Sequence, residues 1–179
     1  GLGDVYKRQT RGWLAERTTD VTHSGEASLK ISGSKANQNE YLNTTYDAAG
    51  SPFEITWLRP GAVYRLTAWL RVDKLSDDIP GPSMRVTFRD AGGSRGGAVT
   101  NTYDLSKPGT WQKLTADVSV PDYNTRNYLA LNTNSRETID ALLYLDDISL
   151  VPVGQEEAEQ YAYYRLGPAD ARLSGGAHV

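Results

Sequence analysis

Apolar and polar side chains alternate along most of this chain with a period of two, as expected for β-strands that bury one face. Segment 63–72 shows the pattern clearly, because apolar residues or tyrosine occupy its even positions from Tyr64 to Val72. Segments 83–90 and 126–133 repeat it with shorter runs. Half-buried antiparallel strands have this alternation, so the pattern predicts an all-β chain.

Turn residues separate these runs at intervals of roughly 8–15 residues, a spacing typical of a sandwich or a barrel. An apolar piece at 53–58 lies just before the Pro60-Gly61 turn. The predicted strands are 27–33, 40–46, 63–72, 83–90, 98–105, 111–120, 126–133 and 141–151. Gly92 to Gly97 is predicted to form a flexible hairpin tip, because glycine dominates it.

The two ends of the chain differ from its middle. Residues 1–12 are interpreted as a foreign or disordered leader, since the string from Gly1 to Gln9 resembles adapter read-through in metagenome-derived sequences. Residues 13–153 are predicted to form one β-sandwich module. Residues 154–179 are predicted to be a linker or short helix followed by a disordered tail, because 155–166 has helix-forming composition and ends at Gly167-Pro168.

Composition narrows the function classes. The 179 residues suffice for one domain with a full core. The chain has no cysteine, which excludes disulfides and thiolate zinc sites. Its formal charge is −3 and it has no basic run, so we expect no nucleic-acid partner. No apolar run approaches the roughly 20 residues that span a bilayer, so we expect no membrane partner.

The strand 141–151 carries two adjacent carboxylates, Asp146 and Asp147. If Ile148 and Leu150 face a core, period-two geometry places Asp146 on the same buried face. A buried carboxylate needs a cation or several hydrogen-bond donors, because burying an isolated charge is costly. Two interpretations follow: Asp146 binds a metal ion, or it holds a loop through backbone N–H groups without one.

Five segments occur in a recognisable order. They are His23 to Ile31, an aromatic at Tyr41, Leu58 to Val72, Trp111 to Leu114, and Tyr144 to Leu150. This series resembles the carbohydrate-binding modules of families 4, 9 and 22, which are galactose-binding-domain-like jelly rolls appended to polysaccharide-degrading enzymes. The resemblance runs from Trp13 to Val151.

The resemblance implies a β-sandwich jelly roll of two antiparallel sheets, in which consecutive strands alternate between the sheets. One sheet would contain 27–33, 63–72, 111–120 and 141–151, and the other 40–46, 83–90, 98–105 and 126–133. In such modules the outer face of the second sheet is concave and holds the glycan. Trp69 and Trp111 are predicted to be structural, with Trp111 in the core.

Alternation on the second sheet nominates the glycan-binding residues Tyr41, Asn43, Arg85, Thr87, Arg89, Tyr128 and Asn132. Tyr103 lies where such modules often place a binding aromatic, although alternation turns it inward unless a bulge intervenes. Aromatic rings pack on the apolar face of a pyranose, while amide and guanidinium groups bind its hydroxyls. Alternatively, the tyrosines cover their neighbours and the arginines form solvated cross-strand pairs.

The resemblance also implies a structural calcium ion, with Asp146 as a side-chain ligand and with carbonyl or carboxylate oxygens from Ser24, Gly25 and Glu26. Such modules usually open with a Phe-Glu pair before the first core tryptophan, and that glutamate often helps to bind calcium. Here Arg11-Gly12 precedes Trp13.

The sequence therefore predicts a non-catalytic carbohydrate-binding module, secreted or on the surface of a bacterium and fused to a catalytic domain. Its expected partner is a plant or algal polysaccharide such as xylan, β-glucan or a uronate-containing glycan. Two arginines on one face favour the uronate-containing class. The alternatives are a structural spacer or adhesin domain without glycan affinity, and a small lyase or hydrolase. No Gly-x-Ser-x-Gly, His-Glu-x-x-His or phosphate-loop motif supports the last of these.

Overall fold

The three-dimensional structure is a computed structural model. It describes residues 7–10, 13–36, 55, 57–76, 80–123, 126–132, 139–154, 161–166 and 169–174. The strands within these residues are β1 (Lys7–Thr10), β2 (Trp13–Thr18), β3 (Ser28–Ala36), β4 (Val63–Leu75), β5 (Ser83–Asp90), β6 (Gly93–Val99), β7 (Trp111–Ser119), β8 (Arg126–Asn132), β9 (Ile139–Pro152), β10 (Tyr161–Leu166) and β11 (Ala169–Ser174).

These strands form a β-sandwich jelly roll, as predicted. In the described part of the chain the larger sheet has eight strands and the smaller has three, in the order β6-β5-β8. The predicted strands 27–33, 63–72, 111–120 and 141–151 all lie in the larger sheet, and 83–90 and 126–133 lie in the smaller. The prediction for 40–46 falls outside the described residues. No helix among the described residues is long and apolar enough to cross a membrane.

Strand β9 is the centre of the larger sheet. It pairs with β4 along one edge and with β3 along the first half of the other edge, both antiparallel. Beyond the end of β3, Ser174 of β11 pairs with Ser149 in parallel. Strand β7 extends the sheet beyond β4. A strand paired along both edges leaves few backbone groups unsatisfied, which explains how the apolar strand β9 is accommodated.

The core lies between the sheets and is built from the apolar positions that the alternation predicted. Leu66 and Leu70 of β4 face it and are fully buried, and so are Met84 and Val86 of β5 and Leu129 of β8. Complete burial of a leucine stabilises the fold by about 1.5–3 kcal/mol relative to leaving it exposed. Ile55 and Leu58 are also buried, and Ile55 N–H donates to the carbonyl of Asn127 on β8, so these two residues of the apolar piece belong to the core.

Among the described residues, both ends of the chain contain strands that the sequence did not predict. Lys7–Thr10 form a strand that pairs with β2, so the leader 1–12 includes part of the larger sheet. The C-terminal helix prediction is wrong for 161–166, which pairs with 169–174 in an antiparallel hairpin. Three tyrosines in β10 favour a strand, and Gly167-Pro168 separates the two strands. The foreign origin proposed for residues 1–9 stays a prediction.

The predicted strand 98–105 is also displaced. Strand β6 runs over the glycine-rich residues 93–99, where a flexible hairpin tip was predicted. A Cβ at Gly97 would lie 2.2 Å from the carbonyl oxygen of Val86, so only glycine allows β6 to approach β5 this closely. After Val99 the chain leaves the strand, and Thr100 N–H donates to the carbonyl of Met84.

Candidate functional site

The outer face of the smaller sheet brings together most of the predicted ligand-binding residues. We call it the small-sheet face and define it as Arg85, Thr87 and Arg89 of β5 with Arg126, Tyr128 and Asn132 of β8. These residues alternate with the buried positions of β5 and β8, so they point away from the core. In the strand register Thr87 lies opposite Tyr128, and Arg89 lies opposite Arg126.

A cation–π contact organises the small-sheet face. The guanidinium carbon of Arg89 lies 5.4 Å from the centroid of the Tyr128 ring. The two residues are diagonal neighbours on adjacent strands, which is within reach of long side chains. Such a contact contributes about 0.5–1 kcal/mol at an exposed site. It therefore fixes the tyrosine ring and one guanidinium together on the same face.

Arg126 belongs to this face but was not predicted. It starts β8 and lies two residues before Tyr128, so the same period-two alternation that identified Tyr128 and Asn132 also identifies it. Its side chain is exposed, as is half of Val99 on β6, the strand on the other side of β5. The predicted residues Tyr41 and Asn43 lie outside the described residues.

Tyr103 is not on the small-sheet face. It is 2% exposed, and its hydroxyl lies 2.7 Å from the carbonyl of Thr110 and 3.0 Å from that of Lys107. Its N–H donates to the carbonyl of Pro82. The prediction of Tyr103 as a binding aromatic is therefore wrong, because its ring packs in the core and its hydroxyl holds the loop before β7.

A second polar cluster lies on the outer face of the larger sheet, where a β-bulge interrupts β9. Trp69 of β4 pairs with Asp146 and Thr67 pairs with Ser149, so β9 has one extra residue between these pairs. Asp147 has a φ of 49°, in the left-handed region that aspartate tolerates better than most residues. The extra residue reverses the alternation, as bulges do.

The bulge explains why one sequence prediction is wrong. Leu145 and Ile148 both face the core although they are three residues apart, and Asp146 points outward instead of sharing the face of Ile148. Its carboxylate is only half-buried there. Between the pairs on either side of the bulge, β9 has one residue more than β4, so its side chains do not alternate strictly between the two faces there.

Asp146 receives three backbone N–H groups. Its Oδ2 accepts from His23 at 2.9 Å and from Ser24 at 3.3 Å, and its Oδ1 accepts from Asp147 at 2.8 Å. These bonds attach the loop that precedes β3 to the bulge of β9. The resemblance predicted that this loop and Asp146 meet, and the structure brings them together.

Asp147 binds the side chains of the same loop. Its Oδ2 lies 2.6 Å from His23 Nδ1, and Ser24 Oγ donates to the same carboxylate, with distances of 2.6 and 2.7 Å to its two oxygens. Because an ionised carboxylate only accepts, His23 carries a hydrogen on Nδ1. In a hydrolytic triad the histidine lies between the serine and the carboxylate, whereas here both groups bind Asp147 directly.

The ring of His23 also packs on two tryptophans. It stacks on Trp69 with ring centroids 4.0 Å apart, and it meets Trp111 edge-on at 5.5 Å. We call these residues, with Ser24, Asp146 and Asp147, the His23 cluster. Trp111 was predicted in the core, but it is the register partner of Arg71 and lies on the outer face. The structural role predicted for Trp69 agrees with its contact with His23.

Burial raises the pKa of Asp146 above its ordinary value. The N–H groups of His23, Ser24 and Asp147 oppose this change because they favour the charged form, while the negative charge of Asp147 reinforces it. Asp146 therefore holds its proton more tightly than an aspartate in water does.

The contacts of Asp146 differ from those expected of a calcium ligand. The donors around Asp146 are N–H groups, which repel a cation, and Ser24 directs its hydroxyl hydrogen at Asp147. Gly25 and Glu26 are exposed on the same loop. Within the described part of the chain, no group of three or more His, Cys, Asp or Glu residues is placed to hold a metal ion. This geometry fits the interpretation in which Asp146 holds a loop, and calcium binding stays a prediction.

Comparison with known proteins supports the fold. No protein-family model matches the chain. No curated protein matches it either. Among solved structures, the CBM22-1 xylan-binding domain of Xyn10C from Paenibacillus barcinonensis is 17% identical and has a TM-score of 0.53, covering 80% of this chain and 87% of that domain.

Two structures from Clostridium thermocellum Xyn10B give the same result. Its C-terminal family 22 carbohydrate-binding module is 14% identical with a TM-score of 0.54, covering 76% of this chain and 78% of that one. Its CBM22-1-GH10 modules, complexed with xylohexaose, are 13% identical with a TM-score of 0.54. That match covers 77% of this chain but only 25% of the other, so this chain spans about a quarter of the two-module protein. The chain therefore has the β-sandwich fold of family 22 carbohydrate-binding modules.

Proposed function

We propose that this chain is a non-catalytic module that binds a polysaccharide on its small-sheet face. The observation that carries the proposal is the placement of Tyr128, Asn132 and three arginines on one face of the smaller sheet. A sugar ring has an apolar face that packs on an aromatic ring, and hydroxyls that bind amide and guanidinium groups. One sheet face supplies both kinds of contact.

The likeness of the fold supports a polysaccharide partner. The similar domain from Paenibacillus barcinonensis is a xylan-binding domain, and the two-module protein from Clostridium thermocellum was complexed with xylohexaose. We infer that this chain likewise binds a xylan, a β-glucan or a uronate-containing glycan. We also infer that it is a secreted or cell-surface module of a bacterial polysaccharide-degrading enzyme, which it targets to a plant or algal glycan.

The side chains of the small-sheet face fit a non-catalytic role. Glycoside hydrolysis needs two carboxyl groups facing each other across the substrate. None of the outward-facing side chains of strands β5 and β8 is a carboxylate. They are Arg85, Thr87 and Arg89 on β5, and Arg126, Tyr128, Ala130 and Asn132 on β8. This composition favours holding a sugar chain over cleaving it.

A structural spacer or adhesin domain without glycan affinity is the second candidate. The contact between Arg89 and Tyr128 favours it, because two outward side chains that satisfy each other need no ligand. The two candidates differ in whether the tyrosine ring also contacts a sugar.

Affinity electrophoresis in native gels containing xylan, β-glucan or polygalacturonate tests the proposal. The full chain should be retarded by at least one of these polymers. Tyr128→Ala should lose the retardation, whereas Tyr128→Phe keeps the ring and should retain most of it. Urea unfolding of both variants checks that they are folded. Unretarded migration in every gel would support the spacer instead, whereas equal retardation of the wild type and Tyr128→Ala would show that the glycan binds away from Tyr128 and overturn the assignment to the small-sheet face.

A further inference from the structure

Strand β7 is an outer strand of the larger sheet. Within the residues that the structure describes, it pairs with β4 along one edge and with no strand along the other. Four of its residues are exposed: Lys113, Thr115, Asp117 and Ser119. The outer edge of such a strand presents backbone N–H and C=O groups, which can pair with a strand of another molecule.

The side chain of Asn101 occupies the middle of this edge. Its Oδ1 accepts from the backbone N–H of Thr115 at 2.8 Å, and its Nδ2 donates to the backbone carbonyl of Lys113 at 3.2 Å. A neighbouring strand would offer β7 an acceptor and a donor of the same kind. The amide group therefore takes the place of a strand residue, although Asn101 is exposed and lies outside any strand.

The backbone on both sides of Asn101 is bonded to the smaller sheet or to the residues that lead into it. Thr100 N–H donates to the carbonyl of Met84 on β5, and Thr100 Oγ1 accepts from Met84 N–H, both at 2.9 Å. Tyr103 N–H donates to the carbonyl of Pro82 at 2.8 Å. Because this backbone is already ordered, only the side chain of Asn101 loses freedom when its amide binds β7.

A second amide in the same region has a different role. Gln112 of β7 accepts from Asp104 N–H through its Oε1 at 2.8 Å, and its Nε2 donates to the carbonyl of Asp104 at 3.0 Å. Both amides attach the loop between β6 and β7 to β7. Only Asn101, however, bonds to the backbone groups on the outer edge of the strand, so Gln112 provides a matched control.

The sequence of β7 suits pairing with a second copy of itself. Lys113 and Asp117 each lie two residues from Thr115. Two copies of β7 that pair antiparallel about Thr115 would therefore place Lys113 of each copy opposite Asp117 of the other. Opposite charges at directly opposed positions stabilise a strand pair. The backbone N–H of Thr115 would lie at the centre of this pairing, and Asn101 already binds it.

We propose that Asn101 closes the outer edge of β7 against pairing with a second copy of this chain. Its amide satisfies the N–H of Thr115 and the carbonyl of Lys113 within the chain. A symmetric pair of β7 strands would have to break these two bonds in both copies before forming its own. The proposal concerns the larger sheet and is independent of the glycan-binding function proposed above.

Sedimentation velocity of the full chain over a range of concentrations tests the proposal. We expect Asn101→Ala to self-associate about ten-fold more tightly than the wild type, because association of the variant no longer breaks the bonds made by this amide. Gln112→Ala loosens the same loop without uncovering the edge, so it should sediment as the wild type does. Urea unfolding checks that each variant is folded.

A double variant identifies the edge at which association occurs. Asn101→Ala/Thr115→Pro has no N–H at the centre of the edge, and proline is accommodated on an outer strand where the missing N–H would face outward. We expect this variant to sediment as the wild type does. Association as tight as that of Asn101→Ala alone would place the contact elsewhere and refute pairing through β7.

Two further results would contradict the proposal. A folded Asn101→Ala variant that sediments as the wild type does would show that the amide closes nothing. Equal association of Asn101→Ala and Gln112→Ala would show that loosening the loop is sufficient.

Amide hydrogen exchange of the wild type decides the question if Asn101→Ala does not fold. The N–H of Lys113 points to the same edge as that of Thr115, because the N–H and C=O of a strand residue lie on one side. We expect Thr115 N–H to exchange about ten-fold more slowly than Lys113 N–H, since Asn101 binds only the former. Equal rates, after correction for sequence, would mean that Asn101 does not cover the edge.

Discussion

The imidazole of His23 lies flat on the indole of Trp69, with ring centroids 4.0 Å apart and 16° between the ring planes. With the ring in this orientation, His23 Nδ1 lies 2.6 Å from Asp147 Oδ2. One side chain thus joins the loop before β3 to two strands of the larger sheet, β4 and β9. The His23 cluster is therefore best understood as an attachment for this loop, on the sheet opposite the proposed glycan face.

Replacing His23 should destabilise the fold without changing glycan affinity. His23→Ala removes the stack on Trp69 and the bond to Asp147 but keeps the backbone N–H that binds Asp146. We expect the free energy of unfolding in urea to fall by about 1–2 kcal/mol. Ser24→Ala is the control, because it also removes a hydrogen bond to Asp147 but no ring contact, and at this exposed position the loss should be smaller, about 0.5 kcal/mol. Equal losses in the two variants would show that the ring stack contributes nothing.

The pKa values of Asp146 and Asp104 should be shifted in opposite directions from the ordinary value of an aspartate. Burial raises the pKa of Asp146, whereas hydrogen bonds from the side chain and backbone of Ser106 lower the pKa of Asp104. Carbon-13 NMR of the side-chain carboxyl groups measures both pKa values during one titration. An Asp146 carboxyl that titrates at or below Asp104 would mean that its three N–H donors outweigh burial.

The raised pKa of Asp146 also has a consequence for stability. Because the folded state binds this proton more tightly than the unfolded state, the contribution of Asp146 is fully present below pH about 3.9 and is lost as the pH rises through its folded pKa. Asp146→Asn lacks this titration. The stability of the wild type relative to Asp146→Asn, measured by urea unfolding, should therefore be greater at pH 3.5 than at pH 7. The opposite order would contradict the direction of the pKa change.

Removing calcium should leave the stability unchanged, because N–H groups occupy the oxygens of Asp146. We expect the same melting temperature in EGTA and in millimolar calcium chloride. A structural site saturated at 100 times its Kd would stabilise the fold by about 2.7 kcal/mol, which is about 5 °C or more for a domain of this size. A calcium-dependent increase of that size would restore the metal site predicted from the sequence.

Tyr103→Phe separates a structural tyrosine from a binding one. The substitution removes the hydroxyl that holds the carbonyls of Lys107 and Thr110, so thermal unfolding should show a loss of about 1–2 kcal/mol. Retardation by glycan in a native gel should be unchanged, because the ring lies in the core. A variant that is fully stable but no longer binds glycan would place Tyr103 in the binding site after all.

The alternation of β4 and β5 was sufficient to predict which of their side chains are buried, whereas the two-sheet sandwich and the choice of its binding face came from the resemblance to known modules. Side-chain period in a regular strand depends only on local geometry, so Leu66 and Val86 were placed correctly from sequence alone. Arg126 carried the same signal and was overlooked. The resemblance to known modules also predicted that Asp146 contacts the loop before β3.

The errors arise where local geometry departs from the regular strand. The bulge at Asp147 depends on the left-handed φ of one residue and on the length of the partner strand, which alternation does not record. Trp111 was assigned to the core from its residue type, but its place is set by the register with Arg71. The glycines of β6 gave no apolar pattern, since their role is a close approach of two backbones.

The central position of β9 has a consequence for the order of events during synthesis. Its partners β3 and β4 are made first, yet the two strands meet each other only through β9, which spans Ile139–Pro152. Pairings between residues so far apart in sequence form slowly, because a long loop must close before any contact stabilises it. The ribosome must therefore release most of the module before the larger sheet can be completed, and until then the edges of β3 and β4 are open to pairing with other nascent chains.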